Sequence, residues 1–396
     1  MKISVLTAVY PTVEEHSRGT PIWNTLDRFR ERCEFTVDCS LAVPPRAIRR
    51  LVQPRSYLRY PGQVDTKFNP RIPARPLEYL YLPRLTRPVN GLLLSRAYMR
   101  RLRDERPDVL LAYRIFPDGY AAVRAGKQLG IPAVIGSRGS DLKLIPPQGL
   151  IRRHTIWAIR QADAVICVSR ELAKIAGELG GDSVHYVRNG VDRGVFFPAP
   201  QEAARRALSL AEGDRWVVFT GNLLPLKGIP TLLEAVAKLR SEGEIWNAAL
   251  IGEGRQQQEL EGMAQRLGIA DRVRFLGQLA PEQICRWLNA ADVFCLPSLS
   301  EGMPNVVLEA LACGRCVVGT RVGGVPDLIG PGNGILVDPL DTAGLVDALQ
   351  TAARSQWDRE RIAASADWSW ENVAEETLEI CAGVCQSHAK AARAGR

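Results

Sequence analysis

Short apolar runs alternate with segments of helical period along the whole chain, and this alternation limits the fold more than any other feature. Each apolar run is followed by a polar or glycine-containing turn and then by a helical segment, which is the order of parallel α/β layers. The first half holds six strand candidates and the second half holds another six. We therefore predict an α/β protein with two sheets of about six parallel strands each, rather than one large sheet.

The chain length supports a division into two domains. A chain of 396 residues is too long for one ordinary hydrophobic core. Turn residues and prolines at 189–200 separate the last strand candidate of the first half from a new helix. An amphipathic helix with an aromatic face follows the second sheet, and the first domain is one candidate for the surface it covers. We predict an N-terminal domain at 1–190, completed by about 372–396, and a C-terminal domain at 191–371.

The composition is that of an ordinary globular protein, with 46% apolar and 24% charged residues. The sequence contains no run of 18 apolar residues, so no membrane-spanning segment is expected. The opening MKISVLTAVYPT is predicted to be a buried strand rather than a signal peptide, because Pro11 interrupts a short apolar stretch. Nine cysteines without framework spacing are typical of reduced thiols, which predicts a cytoplasmic protein.

Positive charge is concentrated in the first half of the chain. Residues 1–190 contain 31 Lys and Arg against 17 Asp and Glu, a net +14, whereas the remainder contains 20 against 26, a net −6. Segment 46–106 has 15 basic and 4 acidic residues, mixed with Leu and Tyr that we expect to be exposed. This mixture suits an anionic membrane surface and predicts peripheral attachment to the inner face of a membrane. A solvated basic face is the simplest alternative, and a nucleic-acid partner is not expected because no recognised binding motif accompanies the charge.

Two glutamates flank a glycine-proline turn in SEGMPNVVLEALACG, residues 300–314. The preceding apolar run predicts a buried strand, and Pro304 suits the first turn of the following helix. Glu301 then lies in the turn and Glu309 in the helix body. Ligands bind beyond the carboxyl ends of parallel strands, so this unit predicts a binding site. The alternative is one surface glutamate and one glutamate that satisfies a helix end.

Two further glycine turns precede helices in the second half. In FTGNLLPLKGIPTL, residues 219–232, Lys227 lies beside a predicted helix N-terminus, a combination typical of phosphate binding. RVGGVPDLI, residues 321–329, contains the other turn. The dinucleotide-binding fingerprint fails in LIGEGRQQQEL because Gln257 occupies its third glycine position. Several such turns at one sheet edge form a ring of N–H donors that suits a diphosphate.

Taken together and in this order, NGVD, GNLLPLKG, EGMPNVVLEALACG and GGVPDLI resemble glycosyltransferase family 4, with supporting points at YPTVEEHSRGT and GSRGSDLKL. The resemblance implies the GT-B fold, in which two Rossmann-like domains face a cleft and a last helix crosses back to the first domain. It also implies a retaining enzyme whose nucleotide-sugar donor is held mainly by the second domain. The Glu-x7-Glu element carries most of the specificity.

The resemblance also implies roles for individual residues. Glu309 is expected to bind the donor's ribose hydroxyls, Glu301 hydroxyls of the transferred sugar, and Lys227 the diphosphate. Carboxylates suit this work because they accept hydrogen bonds from vicinal hydroxyls. The complete set of expected donor-binding residues is Gly19, Thr20, Gly221, Asn222, Lys227, Glu301, Gly302, Met303, Pro304, Asn305 and Glu309.

Two positions depart from the family pattern. Asn222 stands where many members have an arginine, which removes one expected cation from the diphosphate site. Arg138 stands where many members have a histidine. It is expected to act with Lys227 and Glu301 in catalysis by supplying charge and hydrogen bonds; the alternative is a structural residue paired with Asp141.

The expected activity is transfer of a hexose-type sugar from a nucleoside-diphosphate donor to a hydroxyl of a glycan or lipid-linked acceptor, in cell-surface polysaccharide or glycolipid synthesis. The leaving diphosphate itself accepts the acceptor's proton in this scheme, so the protein supplies position and charge. No cofactor and no metal is implied, since lysine and helix ends take the place of a divalent ion. The alternatives are a non-catalytic nucleotide-sugar-binding subunit and a nucleotide-sugar epimerase of the same fold.

Overall fold

The computed structural model describes residues 1–11, 19–45, 72–82, 85–145, 148–211 and 213–394. The chain divides into two compact units. The first unit comprises Met1–Asn189 together with Trp370–Arg396, and the second comprises Gly190–Ser369. Within the described ranges, no helix combines the length and apolar character needed to cross a membrane.

A seven-stranded sheet forms the centre of the first unit. Its strands are β1 (Lys2–Thr7), β2 (Glu34–Val43), β3 (Ala74–Leu80), β4 (Val109–Tyr113), β5 (Ala133–Ser137), β6 (Ala164–Cys167) and β7 (Val184–Tyr186). They lie in the order β3-β2-β1-β4-β5-β6-β7, and every pair is parallel. The chain therefore builds outward from β1 to β3, returns, and continues from β4 on the other side of β1. This reversal places a topological switch point between β1 and β4.

Helices cover this sheet because each has one apolar face. They are α1 (Thr20–Phe29), α2 (Asn90–Glu105), α3 (Tyr120–Leu129), α4 (Ser140–Lys143), α5 (Leu150–Gln161), α6 (Arg170–Glu178) and the chain's last helix, α15 (Trp370–Ala394). Helix α15 packs against α1, where Arg28 Nε donates to Glu371 Oε1 at 2.6 Å. The last helix thus completes the first unit although 180 residues of the second unit precede it.

The second unit is built on the same plan around a six-stranded sheet. Its strands are β8 (Arg215–Thr220), β9 (Trp246–Ile251), β10 (Val273–Phe275), β11 (Val293–Leu296), β12 (Val317–Thr320) and β13 (Gly334–Val337). They lie in the order β10-β9-β8-β11-β12-β13 and are parallel throughout, so the switch point falls between β8 and β11. Val217, Val218 and Phe219 of β8 are fully buried, as expected for a strand covered on both faces.

In the second unit, the first helix precedes β8 and the other helices come after the strands. In chain order, the helices are α7 (Gln201–Ala207), α8 (Ile229–Ser241), α9 (Gln257–Arg266), α10 (Pro281–Ala290), α11 (Asn305–Ala312), α12 (Val325–Leu328), α13 (Thr342–Arg354) and α14 (Arg359–Ser365). Proline occupies the first turn of α8 and α10, where its missing N–H costs no helical hydrogen bond. A single 3₁₀ turn, Pro225–Lys227, lies between β8 and α8.

The predicted α/β class with two parallel sheets is confirmed, with one strand more than the six expected in the first half. The additional strand is β3, which lies at the edge of its sheet. Its burial alternates from Pro76 to Leu80, with Leu77 and Tyr79 buried and Pro76, Glu78 and Leu80 exposed. Edge position also explains how Pro76 is tolerated within the strand. The basic character of this segment concealed its period-two pattern.

Part of the basic segment 46–106 differs from expectation. Residues 46–71 and 83–84 lie outside the described residues. In the described remainder, Leu94, Tyr98 and Leu102 of α2 are fully buried, so the expectation that such side chains are exposed was wrong for them. Arg75 and Arg101 both pair with the buried Asp38 carboxylate, at 2.9 and 3.1 Å, so part of the positive charge is neutralised internally.

Candidate functional site

The switch point of the second sheet brings Lys227 and Glu301 together. Lys227 ends the turn after β8, and Glu301 lies in the loop after the neighbouring strand β11. Lys227 Nζ lies 2.7 Å from Glu301 Oε1, and Ser298 Oγ donates to the same oxygen at 2.6 Å. Both bonds use Oε1, so Glu301 Oε2 has no partner within the described residues. The side chains keep 23% and 10% of their exposure, which leaves both the cation and the carboxylate within reach of a ligand.

Backbone contacts hold these loops in place. Leu299 N donates to Leu226 O at 2.8 Å, and Gly324 N donates to Gly302 O at 2.7 Å. Gly228 and Gly323 have φ values of +61° and +59°, and a Cβ at either would collide with a carbonyl oxygen of the facing loop. Only glycine combines this conformation with so close an approach. The loops after β8, β11 and β12 therefore form one packed layer at the carboxyl edge of the sheet.

Glu309 lies in the body of α11, the helix that follows the Glu301 turn. Burial raises the pKa of its carboxyl from an ordinary value of 4.5 to about 7. The carboxylate accepts no hydrogen bond from the described residues, although its side chain is not fully enclosed. An unpaired carboxylate in such surroundings is costly and becomes favourable only when a donor group reaches it. The site thus offers two carboxylates at different depths, as their spacing in sequence suggested.

The remaining predicted residues of the second unit line the same edge. Gly221 donates its N–H to Ile251 O at 2.9 Å, and Asn222 is exposed. Pro304 immediately precedes α11, whose first residue is Asn305, while Met303 is buried beneath the turn at 7% exposure. The N-terminus of α11 therefore follows directly on the turn that carries Glu301. Such a terminus directs free N–H groups toward a bound anion.

Gly19, Thr20 and Arg138 belong to the first unit. Gly19 has a left-handed conformation and precedes α1, whose first residue is Thr20. Arg138 Nη1 donates to Asn189 Oδ1 at 2.6 Å, and its guanidinium lies over the Tyr113 ring, 5.0 Å from the centroid. Burial lowers the pKa of the Arg138 guanidinium.

Asp141 contacts Arg138 through the backbone of that residue, and the choice between a catalytic and a structural Arg138 stays a prediction. The Asp141 carboxylate accepts from the backbone N–H groups of Arg138 and Gly139, at 3.2 and 3.0 Å, and the described residues show no ion pair between it and the guanidinium. Asp141 therefore holds this loop in place, and its charge also acts on the Arg138 guanidinium, where it opposes the lowering of the pKa by burial.

Ser298 and Thr320 were missed by the sequence analysis. Ser298 is fully buried and fixes the Glu301 carboxylate, and Thr320 Oγ1 donates to Ser298 O at 2.5 Å. The available signal was position: each is a small polar residue at the carboxyl end of a buried strand. The two hydroxyls give Glu301 a defined orientation before any ligand arrives.

Family models cover most of the chain in succession. The model described as Glycosyltransferase Family 4 matches residues 50–194, and the model described as Glycosyl transferases group 1 matches residues 200–367. The first match lies mainly in the first unit and the second match lies within the second unit.

Similar proteins agree with these matches. A putative teichuronic acid biosynthesis glycosyltransferase, TuaC of Bacillus subtilis, is 29% identical over 357 residues, covering 88% of each chain. A D-inositol 3-phosphate glycosyltransferase of Nocardioides is 34% identical, over 50% of this chain and 48% of its own length. Among solved structures, HepE of Anabaena in complex with UDP superposes with a TM-score of 0.74 at 21% identity, covering 97% of this chain and 100% of that chain. With two family models in succession and this shared fold, the chain belongs to glycosyltransferase family 4 and has the GT-B fold.

Proposed function

We propose that this glycosyltransferase moves a hexose-type sugar from a nucleoside-diphosphate donor to a hydroxyl of a glycan or lipid-linked acceptor, with retention of configuration. The observation that carries the proposal is the Lys227–Glu301 pair, 2.7 Å apart at the switch point and followed by the unpaired Glu309 carboxylate. HepE, which shares the fold, was solved with UDP and with UDP-glucose. TuaC is named for teichuronic acid biosynthesis, which supports a role in cell-surface polysaccharide or glycolipid synthesis.

In this proposal the donor lies along the edge of the second sheet. Glu309 accepts hydrogen bonds from the ribose hydroxyls, which supply the donors that its carboxylate lacks. The diphosphate lies at Lys227 and at the N-terminus of α11, where the lysine charge and the free N–H groups both favour an anion. Glu301 uses the unoccupied Oε2 to accept a hydrogen bond from the transferred sugar. Gly221 to Asn222 and Gly302 to Asn305 form the walls of this site.

Lys227 contributes most when the bond to the sugar breaks. Without donor, Glu301 balances its charge at 2.7 Å. As the diphosphate departs it gains negative charge, and a preorganised cation stabilises that charge more in the transition state than in the ground state. The departing diphosphate takes the acceptor's proton on the same face, so no protein base is required. Neither a metal nor another cofactor has a role in this scheme.

The first unit takes the acceptor in this proposal. Gly19 and Thr20 of that unit are assigned to the donor phosphate, and Arg138 to supplying positive charge to the transfer. A lipid-linked acceptor accords with peripheral attachment to the cytoplasmic face of an anionic membrane through 46–106. Attraction of that kind is screened within about 8 to 10 Å at ordinary salt. Co-flotation with anionic vesicles should therefore weaken as salt rises, and indifference to lipid charge would contradict the attachment.

A panel of nucleotide sugars with soluble and lipid-linked acceptors, read by mass spectrometry, tests the proposal. A glycosylated product with the donor's anomeric configuration is the expected result. Donor consumption without a product would favour an epimerase. Binding without turnover would favour a non-catalytic subunit. That alternative arises because position 222 carries Asn in place of a cationic residue.

A further inference from the structure

One surface of the first unit combines exposed apolar and basic side chains. Leu85 and Leu150 keep 77% and 46% of their exposure, although leucine is usually a core residue. Leu150 begins α5. Residues three, four and seven positions later share its side of the helix, and these are Arg153, His154 and Trp157. Arg153 is also exposed, so this side of α5 presents leucine, arginine and tryptophan together.

The segment that carries Leu85 is held against α5. His154 Nδ1 lies 3.0 Å from Pro88 O, in the 3₁₀ turn Arg87–Val89, which packs on α5. Three residues of chain span at most about 11 Å, which limits the distance from Pro88 to Leu85. Leu150 lies one helical turn, about 5.4 Å, before His154. Both exposed leucines therefore lie close to this one contact.

An aromatic cluster fixes α5 to the rest of the unit. The Tyr120 ring of α3 lies 4.5 Å from the His154 ring and 5.0 Å from the Trp157 ring, measured between centroids. Phe116 stacks on His154 at 6.0 Å. Tyr120 is buried, whereas the other three rings are half-buried. Tryptophan is favoured at membrane–water boundaries because an apolar ring carries a polar N–H group.

The same surface carries cations and no carboxylates. The turn Arg87–Val89, α3 and α5 contain no Asp or Glu. Their cations are Arg87, Arg124, Lys127, Arg152, Arg153 and Arg160. Within the described ranges, none of these forms an ion pair with a carboxylate. Burial lowers the pKa of His154, and Arg124 and Arg153 beside the ring lower it further. The surface is therefore basic where its leucines are exposed.

This charge limits what can cover the surface. A second copy of the chain would bring like charges face to face, and these repel each other. Segment 46–71 carries seven Lys and Arg against one Asp, so it lacks the negative charge to neutralise them. Nucleic acid would satisfy the cations but would leave the leucines in water. An anionic bilayer satisfies both, with negative headgroups above an apolar interior.

We propose that this surface docks on an anionic lipid bilayer. We call it the α5 face, and it comprises Leu85, Arg87, Leu150, Arg153, His154 and Trp157. The leucines enter the headgroup region, while the arginines keep their charged ends at the lipid phosphates. The inference rests on the proposed function, whose membrane attachment it extends from segment 46–106 to α5.

Co-flotation of the full chain with vesicles of phosphatidylglycerol and phosphatidylcholine measures this docking. Wild type should float with them and much less with phosphatidylcholine alone, because each basic residue near an anionic surface strengthens binding about fivefold. Leu85→Ser and Leu150→Ser should each weaken binding about threefold or more at low and at high salt. Arg87→Gln combined with Arg153→Gln should weaken it about tenfold or more at low salt and little at high salt.

Matched controls and a second readout identify the face. Exposed Ile245→Ser, and Arg266→Gln combined with Arg361→Gln, change the second unit and should float like wild type. Lipids brominated on their acyl chains quench the fluorescence of tryptophan that reaches the bilayer. Of the eight tryptophans, Trp157 is the one on the α5 face, so Trp157→Phe should remove most of the quenching.

Several results would overturn the inference. Leucine variants that float like wild type, or equal quenching in wild type and Trp157→Phe, would refute the α5 face and leave attachment through 46–106 standing. Wild type that does not float with the anionic vesicles would refute both. Binding of single-stranded RNA that needs the two arginines but neither leucine would assign the face to nucleic acid instead. Sugar transfer to a soluble acceptor tests the proposed transferase activity separately, since it requires no membrane.

Discussion

Replacing Glu309 by glutamine should stabilise the unliganded protein at alkaline pH while impairing donor binding. Burial raises the pKa of this carboxyl from 4.5 to about 7, so the folded state binds the proton more tightly than the unfolded state. For a group shifted in this direction, stability is present below the unfolded pKa and is lost as pH rises through the folded pKa. A shift from 4.5 to 7 corresponds to about 3.4 kcal/mol, and the side chain's remaining exposure reduces the expected effect to about 1 to 3 kcal/mol.

Urea unfolding of wild type and Glu309→Gln at pH 5 and pH 8 measures this difference. The variant should gain about 1 to 3 kcal/mol over wild type at pH 8 and much less at pH 5, because glutamine carries no charge at either pH. Exposed Glu282→Gln, at the start of α10, is the matched control and should show no such pH dependence. An equal difference at both pH values, or a less stable variant at pH 8, would refute the reasoning. The same variant should require a higher donor concentration for half-maximal turnover, since a neutral amide is a poorer acceptor for the ribose hydroxyls.

Further predictions concern the loops around the Lys227–Glu301 pair. Lys227→Ala should lower kcat at saturating donor by roughly 10² to 10³ with little change in KM, and adding Asn222→Arg should restore part of it; near-normal turnover of Lys227→Ala would contradict the role. Glu301→Ala should mainly slow transfer, because contacts to the sugar tighten as its ring approaches the transition state, and kinetics dominated by a higher donor KM would argue against it. Gly323→Ala should lower the free energy of unfolding by about 1 to 3 kcal/mol, since its Cβ meets the Glu301 carbonyl at φ +59°; an unchanged urea midpoint would count against that packing.

Most of the fold could be predicted because its strands are buried on both faces. Continuous apolar runs such as those of β8 and β11 differ clearly from the helical segments between them. Strand β3 was not predicted because Arg75, Pro76 and Glu78 interrupt its apolar residues, so that it has no continuous apolar run. The burial of Leu94, Tyr98 and Leu102 in α2 was not predicted because arginines lie between them in the sequence and concealed the apolar face of the helix.

The sequence could predict those parts of the candidate site that lie within one short segment of the chain. Glu301 and Glu309 are set by one turn and the helix that follows it, and Lys227 by one glycine turn. The hydrogen-bond partner of Arg138 could not be predicted from the sequence, because Asn189 lies 51 residues away and only the parallel strands bring the two together. The contact between Lys227 and Glu301 spans 74 residues and depends on the strand order reversing between β8 and β11. The roles assigned to these residues remain proposals for experiment.

Calorimetric titration of nucleotide sugars into wild type and Glu309→Ala tests the central claim most directly. UDP-, GDP- and ADP-glucose identify the preferred base, and the preferred donor should bind wild type. Loss of a carboxylate that accepts hydrogen bonds from the ribose should weaken that binding about tenfold or more. The corresponding nucleoside diphosphate without the sugar should be weakened by the same factor, because the contact is to the ribose. Equal affinity of wild type and Glu309→Ala for the preferred donor would contradict the placement of the nucleotide at the edge of the second sheet.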